Sequence, residues 1–114
     1  MLDVCRLHDR QRFEIHLFSV CPAKFHDGVT DQFRRAPNNF HDLSALDDDA
    51  AANTIADKGI DILVDLLGHT QEAKSGIFAH KPAPIQITHL GYHGCLGMDQ
   101  VDYKVTDRVA DTPD

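Results

Sequence analysis

The chain has 114 residues, of which 42% are hydrophobic and 25% charged, and its formal net charge is -7. That length suits one domain with a modest core, and an acidic chain is poorly suited to gripping phosphate backbones, so no nucleic-acid partner is expected. No apolar run approaches the ~18 residues of a membrane span, and "MLDVCRLHDR" lacks the basic-then-apolar order of a signal peptide, so no membrane partner is expected either.

The first ten residues read as a short helix with Leu2 and Cys5 on one face, Met1 and Val4 beside them. "FEIHLFSV", residues 13–20, alternates Phe13, Ile15 and Leu17 and reads as a strand. "DGVTDQFRRAP" is a loop leading into a short helix that Pro37 ends, because the residue before a proline avoids the helical region. "NNFHDL" follows as a short strand. The next helix has the fullest signals. Ser44, with Asp47 three residues on, resembles a capping box. Asp47, Asp48 and Asp49 place negative charge at the positive end of the helix dipole. Leu46, Ala50, Ala51 and Ile55 form an apolar stripe, and Gly59 after Lys58 is a C-terminal stop.

"IDILVDLL" is nearly continuous in apolar residues, the pattern of a strand covered on both faces. Gly68 ends it. A short helix is expected over 72–80, a strand over 84–90 and a last strand over 101–107. Alternating strands and helices predict an α/β fold with a parallel, Rossmann-like sheet, in a single partial domain over residues 1–114.

In such sheets ligands sit outside the carboxyl ends of the strands. Two strands here stop on glycine, in "VDLLGHT" and in "PAPIQITHLGYHG", residues 82–94. A glycine at that place admits a ligand close to the backbone, though the same residue also serves as an ordinary turn. His89 and His93 have the spacing of a helical zinc pair, but they fall at a strand end among glycines, and no glutamate follows His89; no metal site is expected. Asp61 and Asp65 flank the apolar strand, where solvated aspartates are common, and Asp99 and Asp102 read as loop and strand-edge charges. The chain has no GxGxxG, Walker-type or GxSxG pattern. Cys5, Cys21 and Cys95 form no CxxC pair, which argues against disulfides and a cysteine zinc site, and points to a reducing compartment, the cytoplasm.

Residues 59–114 closely resemble the protein O-linked N-acetylglucosamine transferase family, which includes the SPINDLY-like proteins. The matching elements are "GIDILVDL", Gly68 and Thr70, "PAPIQ", "LGY", Gly94, "MD", "DY" and "TDR"; "DRQRFEIHLFS" and "FHDL" match more loosely. The resemblance implies a glycosyltransferase of the GT-B arrangement, with two facing Rossmann-like domains, usually behind tetratricopeptide repeats. This sequence would be a piece of the N-terminal catalytic domain. The donor, UDP-N-acetylglucosamine, would give its sugar to a serine or threonine of an acceptor protein, with no further cofactor. Leu90 and Gly91 would bind the donor, with Thr70 and Tyr92 in weaker contact, and Lys74 would meet the acceptor.

His93 stands where the family usually has proline, His69 where it has tyrosine, Glu72 where it has glycine, and Lys74 where it has arginine, whose planar fork lysine lacks. The family's histidine-bearing upstream segment and its C-terminal domain are not in this sequence, so no residue here is assigned as catalytic, and the isolated chain is expected to be inactive. The other readings are a non-catalytic α/β remnant or partner-binding module, and another α/β class such as a small nucleotide-binding module. In the family a central strand precedes the helix that Met1 begins. Strands 13–20 and 60–66 should then either pair directly or keep unpaired edges, which favour self-association.

Overall fold

The computed structural model describes residues 1–35, 39–71, 73–89 and 94–111. They belong to two compact units, Met1–Ala45 and Leu46–Asp114.

The first unit runs α1 (Leu2–Leu7), β1 (His16–Ser19), a 3-10 turn (Ala23–Phe25), α2 (Gly28–Arg35) and β2 (Asn39–Asp42). The apolar face expected of α1 is narrower than the sequence suggests: Cys5 is buried, whereas Met1 and Val4 are exposed. Asp27 starts α2 by accepting the Val29 and Thr30 amides, each at 3.0 Å. The Thr30 amide is the main reason its carboxyl lies below the usual range. β1 and β2 are parallel, with His16 opposite Asn39 and Ser19 opposite Asp42. A parallel pair needs a crossover, and α2 lies within it. The rings of His16 and Phe18 stack on His41, at centroid distances of 5.3 and 4.9 Å.

The second unit runs α3 (Asp48–Asp57), β3 (Ile62–Asp65), α4 (Gly76–Ala79), β4 (Ile85–Thr88) and β5 (Tyr103–Lys104). The capping box expected from Ser44 does not form. Asp47 itself is the N-cap, extended in backbone and accepting the Ala50 amide at 2.8 Å, while the Ser44 amide turns back to Asp42 at 3.0 Å. The pattern misled because Asp47 is both a candidate partner three residues after a cap at Ser44 and a good cap in its own right. The buried face of α3 is Ala51, Ala52 and Ile55, so Ala52 belongs to the stripe where Ala50 was expected. Gly59 ends the helix at a φ of +66°, which glycine adopts without strain.

All three strands are parallel, in the order β3-β4-β5. Leu63 lies opposite Gln86 and Asp65 opposite Thr88, and these four residues are buried. The alternate face carries Ile62, Val64 and Ile85, exposed at 48%, 44% and 38%. β3 is therefore covered on one face, not on both as its apolar run implied. The covered face is the one that meets α4, since the Gln86 amide reaches the Phe78 carbonyl at 2.9 Å. α3 packs beside α4. Among the described residues β1 has β2 as its one strand neighbour in its sheet, and β3 has β4 in its own; strands β1 and β3 do not pair directly.

Candidate functional site at the carboxyl ends of β3 and β4

The turn that leaves β3 is locked by the strand's last residue. Asp65, 8% exposed, accepts the Leu67 amide through Oδ1 at 3.1 Å and the Gly68 amide through Oδ2 at 2.9 Å. Its carboxylate is thus buried and occupied by main-chain donors, not the solvated strand-end charge that the sequence suggested. Gly68 has a φ of +57°, a backbone region that side chains rarely allow. The loop then continues in tight turns: the Thr70 amide donates to Leu67 O at 3.3 Å, and Thr70 O accepts from Ala73 at 3.0 Å.

Thr70 and His69 are exposed at this edge. The His69 Nε2 lies 2.9 Å from Leu96 O, and a carbonyl can only accept, so that nitrogen carries the proton. This bond ties the loop after β3 to the segment that follows residue 94. Lys74 is half-buried, and its ammonium donates to Leu46 O, anchoring the lead into α3.

β4 ends level with β3. The His89 amide, first after the strand, donates to Asp65 O at 3.0 Å. His89 therefore leaves a strand rather than a helix, as the glycines beside it implied. Leu90, Gly91 and Tyr92 lie outside the described residues, as do His93 and Glu72. The structure thus brings Thr70 to the edge where β4 also ends. Lys74 instead leads toward α4.

Sequence reasoning missed the arrangement that holds β4 in place. Gln86 is fully buried. Its Nε2 donates to Phe78 O and to Gln100 O, each at 2.9 Å. Its backbone amide donates to Asp102 Oδ2 at 2.8 Å, and its carbonyl accepts from the Asp102 amide at 2.8 Å. Lys81 completes the group, donating to Asp102 Oδ2 at 2.6 Å and to Gln100 O at 2.9 Å. Hydrogen bonding by Lys81 and then by the Gln86 amide holds the Asp102 carboxyl below its usual range. Lys81 has a φ of +49°; a lysine in that region is strained, and here it places the ammonium against Asp102. The signal available in the sequence was a glutamine inside an alternating strand, but alternation alone says polar side out, and here the polar side is in.

Residues 1–113 match the description Glycosyl transferase family 41. The chain belongs to this family. Among family relatives it is similar to the rice (Oryza sativa subsp. japonica) "Probable UDP-N-acetylglucosamine--peptide N-acetylglucosaminyltransferase SPINDLY", at 41% identity over 94% of this chain and 12% of that protein. It is also similar to the Caenorhabditis elegans "UDP-N-acetylglucosamine--peptide N-acetylglucosaminyltransferase", at 36% identity over 96% of this chain and 10% of that protein. A solved structure of a mutant Thermobaculum terrenum O-GlcNAc transferase superposes with a TM-score of 0.86 at 35% identity, over 93% of this chain and 20% of that one. The α/β fold with parallel strands is thus shared with that O-GlcNAc transferase. The chain spans about an eighth or less of the length of these curated relatives, at 12% and 10%.

Proposed function

We propose that this chain is part of a protein O-glycosyltransferase that moves N-acetylglucosamine from UDP-N-acetylglucosamine to serine or threonine of acceptor proteins. The observation that carries this reading is the family match over residues 1–113. In the transfer, the acceptor oxygen bonds to the sugar's anomeric carbon and releases its proton. The bond from that carbon to the diphosphate breaks, and UDP leaves with the electron pair. Charge therefore grows on the diphosphate, where fixed backbone amides stabilise it best. We assign that part to Leu90 and Gly91, with Thr70 and Tyr92 as weaker donor contacts, and we assign Lys74 to the acceptor side. The protein works in the cytoplasm, its partners being the nucleotide sugar and the acceptor protein.

The test is a hybrid enzyme in which residues 1–113 replace the matching segment of the Thermobaculum transferase. Transfer of labelled sugar from UDP-N-acetylglucosamine to an acceptor peptide is the expected result. A folded hybrid that binds neither donor nor acceptor would favour the non-catalytic reading.

A further inference from the structure

Gln86 poses a problem that the proposed function leaves open. Its two amide protons are both used, on Phe78 O at the end of α4 and on Gln100 O before β5. Because both partners are carbonyls, the amide cannot be turned over: the oxygen would then face two oxygens. Held in this sense, Oε1 is buried with no hydrogen-bond partner among the described residues. A buried acceptor left unsatisfied is costly, and an apolar side chain of the same volume would avoid that cost. The glutamine therefore contributes through its two donors. They tie the middle of β4 to the helix before it and to the turn that precedes β5, while Asp102 holds both the amide and the carbonyl of the same residue's backbone. The point of attachment lies two residues before Thr88, where β4 ends. Past that end come His89, bonded to Asp65 O, and then the segment assigned to the donor.

We propose that Gln86 is a positioning residue for the sugar donor: it fixes β4 along its own axis and so sets where the chain leaves the sheet at His89. The link to the donor rests on the function proposed above; the hold on the strand end does not. Lys81 and Asp102 act in the same device. Gln86→Met keeps the volume and removes both donors. Gln86→Glu at neutral pH sets a carboxylate against two carbonyls; in acid its single proton restores one of the two bonds.

The test has two arms. In the 114-residue chain, amide exchange is followed at His89 and Val105, whose amides bond Asp65 O and Thr88 O, with Ala51 in α3 as the reference. For Gln86→Met we expect exchange at least tenfold faster at His89 and Val105 and unchanged at Ala51. In the hybrid enzyme we expect the KM for UDP-N-acetylglucosamine to rise at least tenfold, with the acceptor KM unchanged. For Gln86→Glu the donor KM should move back toward the parent value as the pH falls. Unchanged exchange, or equal acceleration at all three amides, would show a residue that does not position the strand end, and overturns the proposal. Selective exchange with an unchanged donor KM overturns the link to the donor and the assignment of Leu90 and Gly91, while leaving family membership untouched.

Discussion

The Asp65 carboxylate accepts the Gly68 amide at 2.9 Å, closing the turn after β3 with the strand's own last residue. Both oxygens of this buried side chain are used, the other on Leu67. Removing them strands two loop amides. We expect Asp65→Ala to destabilise the protein by about 1–3 kcal/mol. Asp65→Asn should cost less, because one oxygen remains to accept. Urea midpoints of the two variants against the parent check the order; equal midpoints would show that water replaces the carboxylate without loss.

Asp102 gives a pH-dependent expectation with a definite sign. Lys81 and the Gln86 amide lower its carboxyl pKa in the folded state. A lowered folded pKa means that the unfolded chain binds the proton more readily. The contribution is therefore complete above the unfolded value of about 3.9 and is lost as the pH falls through the folded value. Asp102→Asn should lower stability at neutral pH and flatten part of the acid-side decline. Unfolding midpoints from neutral to about pH 3 read this directly; parallel curves for parent and variant would sink it.

For Gly91 the expectation concerns turnover. In the hybrid enzyme, Gly91→Val should lower kcat/KM for the donor at least tenfold, about 1.4 kcal/mol of lost transition-state stabilisation, with the unfolding midpoint kept. A change within about twofold, under ~0.5 kcal/mol, would leave Gly91 as a turn residue only.

The capping assignment separates two residues that the sequence could not. Asp47→Ala should cost about 1 kcal/mol through the lost bond to the Ala50 amide. Ser44→Ala leaves that bond in place, and helix α3 should keep its amide protection. If Ser44→Ala loosens α3 more than Asp47→Ala does, the capping box of the sequence reading is restored.

Much of the framework was legible because it rests on local rules. Gly59 and Gly68 were readable as stops, since positive φ at those points needs glycine. The alternation of strand and helix gave the parallel order, since parallel strands need crossovers. What was not legible depends on what lies across the sheet. The run Ile60 to Leu67 reads as doubly covered, yet the cover depends on partner elements that no local pattern records, and Ile62 and Val64 stay exposed. Gln86 is the same lesson reversed. Its burial is favourable only because Phe78 O and Gln100 O converge on it. At the candidate site, the sequence pointed to Thr70 and Lys74 by resemblance. It gave no sign that the Lys74 ammonium would be held by Leu46 O, a contact between segments far apart in the chain.

The edge of β3 yields the last expectation. Among the described residues β3 has one strand neighbour in its sheet, β4, and no strand pairs with its other side. The same strand exposes Ile62 at 48% and Val64 at 44%, and Leu66 and Leu67 follow at 38% each. An apolar, unpaired edge is a template for pairing with a second chain, and exposed β-branched residues add to the drive. Natural edges are often blunted by lysine, which β3 lacks. We therefore expect the isolated 114-residue polypeptide to self-associate, and Val64→Lys, placed on the exposed face of that edge, to reduce the association. Light scattering at tens of micromolar compares the two chains. A parent that stays monomeric there would show that the edge is protected in solution. A Val64→Lys variant that associates as strongly as the parent would move the contact away from β3.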